Sequence, residues 1–348
     1  MKKYLFYLSM ALVAVVLFSC KSGKKSVFTP TSSGRAYEVL VVVEKPVWER
    51  PAGRALYNVL DTDVPGLPQS ERSFRIMSTS PKDFDAILKL VRNIIIVDIQ
   101  DIYTQPKFKY AKDVYASPQM IFLQERDLTV HFRTGKEVYN RLFVLFDKLL
   151  KRCLVRSLDS QNHNDYISTK VGSMFNSDIW LPAELSSSKT GEDFFWAGTN
   201  AATGDQNFVI YSYPYTDKDT FTKEFFIHKR DSVMKANIPG AKEGMYMATD
   251  SSTVEVRPID IHGDYTMEAR GLWRIKGDFM SGPFVSHTRL DKASHRIITT
   301  EVFIYSPDKM KRDLMRRLEA SLYTLQLPTE KAQEQIPMGI EQEEKTNK

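Results

Sequence analysis

Only two cysteines, Cys20 and Cys153, occur in 348 residues. No disulfide framework can be read from so few. Histidine is scarce as well. The six, at 131, 163, 228, 262, 287 and 295, form neither H-E-x-x-H nor a close pair with ligand spacing, so no metal site is expected. There is no G-x-S-x-G nucleophile elbow. The stretch GTNAATG (198–204) lacks the Lys-Ser/Thr of a phosphate-binding loop, and no G-x-G-x-x-G follows a strand pattern. No cofactor is expected. The formal charge of +5 is too small for a nucleic-acid-binding face. No apolar run reaches the roughly 20 residues that span a bilayer. What remains is an ordinary globular composition, 42% hydrophobic and 26% charged, with 16 Tyr, 20 Phe and 4 Trp that suit a β-rich core.

The opening segment is the most informative. Met1–Tyr4 is basic and Leu5–Phe18 is apolar apart from Tyr7 and Ser9, the length of a signal h-region. It ends in Leu17-Phe18-Ser19-Cys20, which resembles the bacterial lipobox. That resemblance implies that Leu17 and Ser19 are read by the lipoprotein signal peptidase, that residues 1–19 are removed, and that Cys20 carries the lipid. Two or more acyl chains anchor durably, at about 0.8 kcal/mol per buried methylene. Residues 20–36 then form a lipidated start and a polar tether with a reach of roughly 20–24 Å. Lys21, Lys24 and Lys25 follow the cysteine where surface-exported Bacteroidota lipoproteins usually carry acids, so the resemblance implies a periplasm-facing outer-membrane lipoprotein. Removing residues 1–19 takes Lys2 and Lys3 and no acid, leaving a mature charge of +3. Cys153, in the helical pattern Leu142, Phe146, Leu149, Cys153, reads as a buried small hydrophobe.

The mature chain reads as α+β: two units with mixed or antiparallel sheets flanked by amphipathic helices, the first with mixed α/β character. The first unit covers 37–158, the second 165–327, with the polar LDSQNHND (158–165) as boundary and 328–348 as a disordered tail. Strands are expected at 37–44, 74–80, 94–99, 109–117 and 120–125, and helices at 49–61, after the capping box Ser80-Pro81-Lys82-Asp83, and at 137–155. In the second unit, DIWLPAEL, EDFFWAGTN and NFVIYSYPY read as three strands separated by the turns SSSKTG and AATGDQ. A helix closed by Pro239-Gly240 follows, then further strands. Ser306-Pro307 is expected to cap a last helix, 308–325, whose five basic residues read as a solvated face.

One stretch, EARGLWRIKGDFMSGPFVSHTRLD (268–291), mixes aromatic, arginine and glycine residues as binding surfaces do. Arg270, Trp273, Met280, Gly282 and Pro283 are the candidate contact surface; a long hairpin tucked over a core is the competing reading.

The blocks GRAYEVLVVVEKPVW, VPGLPQSERSF, RNIIIVDI, WLPAEL…FFWAGTN, YSYPY, RGLWRIKGDFMSGPFVSHTRLD and VFIYSPDKMKRDLMRRLEA together resemble a lipoprotein family of unknown function from Bacteroidota. The second half more loosely resembles the PsbP/Mog1-like fold, an antiparallel sheet with flanking helices. The family implies a lipid-anchored envelope protein and assigns no catalytic residues. The expected function is a partner- or ligand-binding module in the cell envelope, more a binder than an enzyme. The rivals are a hydrolase with carboxylates meeting between the two halves, and a pure scaffold.

Overall fold

The structure, a computed structural model, describes residues 29–98, 107–125, 158, 162–328 and 330. The expected signal segment, Cys20, Cys153, the expected helix 137–155 and the tail from 331 lie outside the described residues.

In the first unit, the β-branched runs form β1 (Glu38–Val42) and β3 (Asn93–Asp98), and the sheet is completed by β2 (Arg75–Thr79), β4 (Lys107–Lys112) and β5 (Met120–Glu125). The sheet order is β2-β1-β3-β5-β4; the first three pairings are parallel and β4–β5 is antiparallel. β1 is apolar on both faces because both are covered. Val39 and Val41 pack on Leu56, Val59 and Leu60 of α2 (Pro51–Leu60), which follows the short α1 (Lys45–Glu49). Leu40 and Val42 pack on the other side with Val91, Ile94 and Leu88.

The helix expected after Ser80 is a correction. Ser80 does accept the Asp83 N–H at 3.3 Å, but only single 3₁₀ turns form, at Pro81–Asp83 and Leu88–Leu90. The Asp85 carboxylate takes the N–H groups of Ile87 (3.0 Å) and Leu88 (2.9 Å), a local turn that competes with helix propagation. Ile87, which an amphipathic helix here would have buried, is 74% exposed.

The second unit is a seven-stranded antiparallel sheet of order β6-β7-β8-β12-β11-β10-β9. Its strands are β6 (Ser187–Gly191), β7 (Phe194–Gly198), β8 (Asp205–Pro214), β9 (Tyr246–Ile261), β10 (Asp264–Lys276), β11 (Ser281–Asp291) and β12 (Arg296–Tyr305). One face carries α3 (Asp165–Phe175) and α5 (Arg312–Leu322); the other carries α4 (Lys223–Asn237). Alternation along β12 divides the cores: Ile298, Val302 and Ile304 face α3 and α5, whereas Ile297 and Phe303 face α4.

Two expectations fail here. DIWLPAEL is not a strand: it follows α3 irregularly, tied down by isolated bridges Asp178↔Gln326 and His163↔Pro182. The edge strand is instead the polar SSKTG, expected as a turn. Edge position explains the mismatch, since among the described residues β6 pairs only with β7 and its side chains are largely exposed. The helix α3 itself was hidden by a short apolar period of Ile167, Val171 and Phe175. Among the described residues no helix is long and apolar enough to cross a membrane.

Candidate functional site

Arg270, Trp273, Met280, Gly282 and Pro283 do not share an exposed surface. They lie on and beside the hairpin β10–β11, which sits between β12 and the edge strand β9 of the second sheet. Trp273 is 2% exposed and stacks edge-on against Phe303 in the core beneath α4. Gly282 faces Trp273 across the ladder; a Cβ there would come within 2.1 Å of the Ile304 carbonyl and 3.0 Å of the indole Nε1. The glycine is what allows the indole to lie flat on the strand. Pro283 is buried and Met280 partly buried. The competing reading of a hairpin packed over a core describes these residues.

Arg270 points the other way, into a buried charge cluster under α5. Its guanidinium donates to Glu268 (Nε 2.8 Å, Nη2 2.9 Å) and to Glu319 of α5. Glu268 also accepts from Arg257 Nε at 2.6 Å and lies beside His287, its register partner on β11. His287 Nε2 is 3.5 Å from the carboxylate, at the outer limit of a hydrogen bond, so the two arginines carry the pairing. Burial alone would push the Glu268 carboxyl up; Arg270, then His287 and Arg257, outweigh it and hold it well below its ordinary value. A carboxyl depressed on folding stabilises the fold above its ordinary value of 4.5, and that contribution is lost as pH falls towards the folded value. Glu268→Gln is therefore expected to cost about 2 kcal/mol at pH 7, the size of a lost charged hydrogen bond. The gap to the wild type should narrow between pH 5 and pH 3 in denaturant melts. A gap constant with pH would contradict the ionised assignment.

The concave site lies elsewhere, where the two units meet. The loop 62–74 of the first unit docks on α5. Lys311, at the helix N-cap, offers no side-chain cap of its own, and Ser306 does not supply one. The buried Glu71 carboxylate does, accepting the N–H groups of Lys311 (2.7 Å) and Arg312 (2.8 Å). The expected start at 308 is thereby corrected to 312, and Met310 is 65% exposed. The basic residues of this helix are likewise not all solvated. Arg312 Nη1 donates to the Arg72 carbonyl (2.9 Å) and Arg316 Nη1 to the Ser73 carbonyl (2.7 Å), and Arg316 lies 4.5 Å over the Tyr37 ring. Gly66, with φ +79°, passes so close to β10 that a Cβ would stand 3.0 Å from Arg270 Cβ.

Beside this seam opens a cleft of about 670 Å³. The first unit contributes Arg35, Tyr37, Glu38 and Arg75, and the second contributes Ala183, Glu184, Arg312, Asp313 and Arg317. The carboxylates expected between the halves by the hydrolase reading are present, but each lies on an arginine: Glu38 on Arg75 (3.3 Å), Glu184 on Arg317 (3.5 Å) and Asp313 on Arg312 (2.9 Å). The side chain of Arg35 has no ion-pair partner among the described residues. Such a volume is that of a small-molecule site.

A second hollow, about 850 Å³, adjoins the start of α3. There Asp165 Oδ1 lies 2.6 Å from His163 Nδ1, and His163 Nε2 lies 3.1 Å from Ser168 Oγ. The order of atoms is that of a nucleophile relay, but Ser168 Oγ also donates to the Ile179 carbonyl at 2.8 Å and the Asp165 side chain is 93% exposed. A water-washed carboxylate orients an imidazole weakly, and the group serves as a local brace for the helix start. Among the described residues no cluster of three or more His, Cys, Asp or Glu could hold a metal.

The arginine cleft was missed in the sequence because its residues come from positions 35 to 317. Only the run DKMKRDLMRR signalled it.

Residues 32–127 match the family model of a domain of unknown function, DUF8532, and residues 164–324 match that of another, DUF4837. The curated proteins contain no match. The chain thus matches two models of domains of unknown function, and the cleft is lined by residues of both matched regions.

Proposed function

We propose that the protein is a lipid-anchored, periplasm-facing envelope module that binds a ligand or partner segment in the cleft between its two units. The observation that carries this reading is the cleft itself: about 670 Å³, lined by side chains of both units, with ion-pairing groups already oriented by the fold. Supporting the anchor is the apolar run Leu5–Phe18, which ends in the motif Leu17-Phe18-Ser19-Cys20. The carboxylate-hydrolase reading gains no specific support, because the three cleft carboxylates are held by arginines rather than by one another.

Ala183 is exposed on the cleft wall, so Ala183→Trp fills the space without disturbing a core. The full chain, purified from membranes with its lipid intact, should bring down a species that Ala183→Trp loses while melting at the same temperature. A variant that retains every co-purified species would remove the cleft from the function.

A further inference from the structure

Resting on that reading, we propose that the cleft takes a small ligand carrying two oxyanion groups, phosphate or carboxylate, bridging the arginines of the two units. Four guanidinium groups line one cavity, two from each unit: Arg35 and Arg75 on one side, Arg312 and Arg317 on the other. Guanidinium presents a rigid fork that matches carboxylate and phosphate oxygens, which is why paired arginines recognise such groups better than lysines do.

Their present partners show how the site is set. Arg317 is fixed from two directions, by Glu184 (3.5 Å) and by Gln206 Oε1 (3.1 Å). Arg312 is fixed by Asp313 and by the Arg72 carbonyl (both 2.9 Å). These two are held in place before any ligand arrives, which lowers the entropy cost of binding. Arg75 is 70% exposed and holds Glu38 through one contact of 3.3 Å, so it is free to turn towards an incoming anion. Arg35 is exposed, and no carboxylate occupies its side chain among the described residues. One fixed pair on the second unit and one adjustable pair on the first suit a ligand with two anionic ends. The half-buried Ala36 and the buried Tyr37 supply the apolar wall between them. The three cleft acids oppose four arginines, so the cleft keeps one net positive charge and selects against cations.

The test is calorimetric titration of the full-length lipidated chain in detergent with three probes that each carry two oxyanion groups: pyrophosphate, succinate, and tetrahexanoyl cardiolipin below its micellar concentration. The expected result is saturable binding of at least one, weakening as NaCl rises from 50 to 300 mM, and at least tenfold weaker in Arg35→Ala/Arg317→Ala. Tighter binding of the phospholipid than of pyrophosphate assigns the oxyanion to a lipid headgroup; the reverse order assigns it to a free ligand. Arg35→Ala alone, at an exposed position, keeps the test decisive if the double variant does not fold. The proposal is overturned if none of the probes binds saturably, or if affinity is unchanged in Arg35→Ala and in the folded double variant. Loss of capture in Ala183→Trp without binding of any of these anions would retain the cleft as a binding site and reject its ligand class.

Discussion

Arg230→Met is expected to destabilise the protein by about 3–5 kcal/mol, the cost of leaving a buried charge without its partner. Arg230 of α4 and Glu301 of β12 are both fully buried on the α4 face of the second sheet. The guanidinium donates through Nε to both carboxylate oxygens (3.1 and 2.9 Å) and through Nη2 to one of them (2.7 Å). Its Nη1 reaches Thr249 Oγ1 (2.9 Å), and the group lies 4.3 Å over the Phe284 ring. Burial pushes the Glu301 carboxyl up, and Arg230 pulls it back; with the arginine gone, only the upward push and the nearby Asp231 remain. Glu301 would then be forced to take a proton on folding. The double variant Arg230→Met/Glu301→Leu places two apolar side chains beside Phe284 and Met247, and should recover most of the loss, since paired charges rarely beat well-packed hydrophobes. Urea denaturation of the four proteins of this cycle gives the coupling energy directly. A double variant no more stable than Arg230→Met would mean that the loss comes from packing rather than from charge.

The second large effect belongs to Glu71. Glu71→Ala should cost about 2–4 kcal/mol, combining a lost helix cap with two lost charge-assisted hydrogen bonds. The carboxylate is 3% exposed and accepts two backbone N–H groups of α5 that no side chain of the helix itself satisfies. More telling than the size is the form of the melt. This is a cap supplied by one unit to the other, so its loss loosens the docking of loop 62–74 as well as the helix end. Calorimetry should show one transition in the wild type and two in Glu71→Ala. Glu71→Gln keeps one acceptor oxygen and should fall between them. A single transition in Glu71→Ala, shifted by less than 1 °C, would contradict the cap as the link between units.

The elements legible in the sequence were those whose burial pattern is local. The β1 and β12 runs announce themselves because most of their residues are β-branched or aromatic and nearly every one is buried. α4 was legible in the run closed by Pro239-Gly240, although the helix opens only at Lys223, under Thr222, which accepts the Phe225 N–H. What failed was what the tertiary structure decides. Ser80 signals a helix start, but Asp85 intercepts the following N–H groups. Ser306-Pro307 signals another, yet the true cap is a carboxylate 240 residues earlier in the chain than the Lys311 it caps. A binding-like composition at 268–291 arose because one strand of alternating pattern places Trp273 in one core and Arg270 in a buried ion cluster on the opposite face. Arginine and aromatic residues mark binding surfaces and buried charge networks equally well, and only the register tells them apart. The cleft was beyond reach for the same reason: its arginines converge only when α5 docks on the first unit.

The most direct test of the central claim is site-specific photocrosslinking in living cells. A benzophenone side chain is placed at Ala183, on the cleft wall, or at Phe279, fully exposed at the tip of the β10–β11 hairpin. Mass analysis of the irradiated protein should show an adduct at position 183 that is absent from position 279. An adduct at 279 with none at 183 would place the contact surface on the hairpin and contradict the cleft as the functional site.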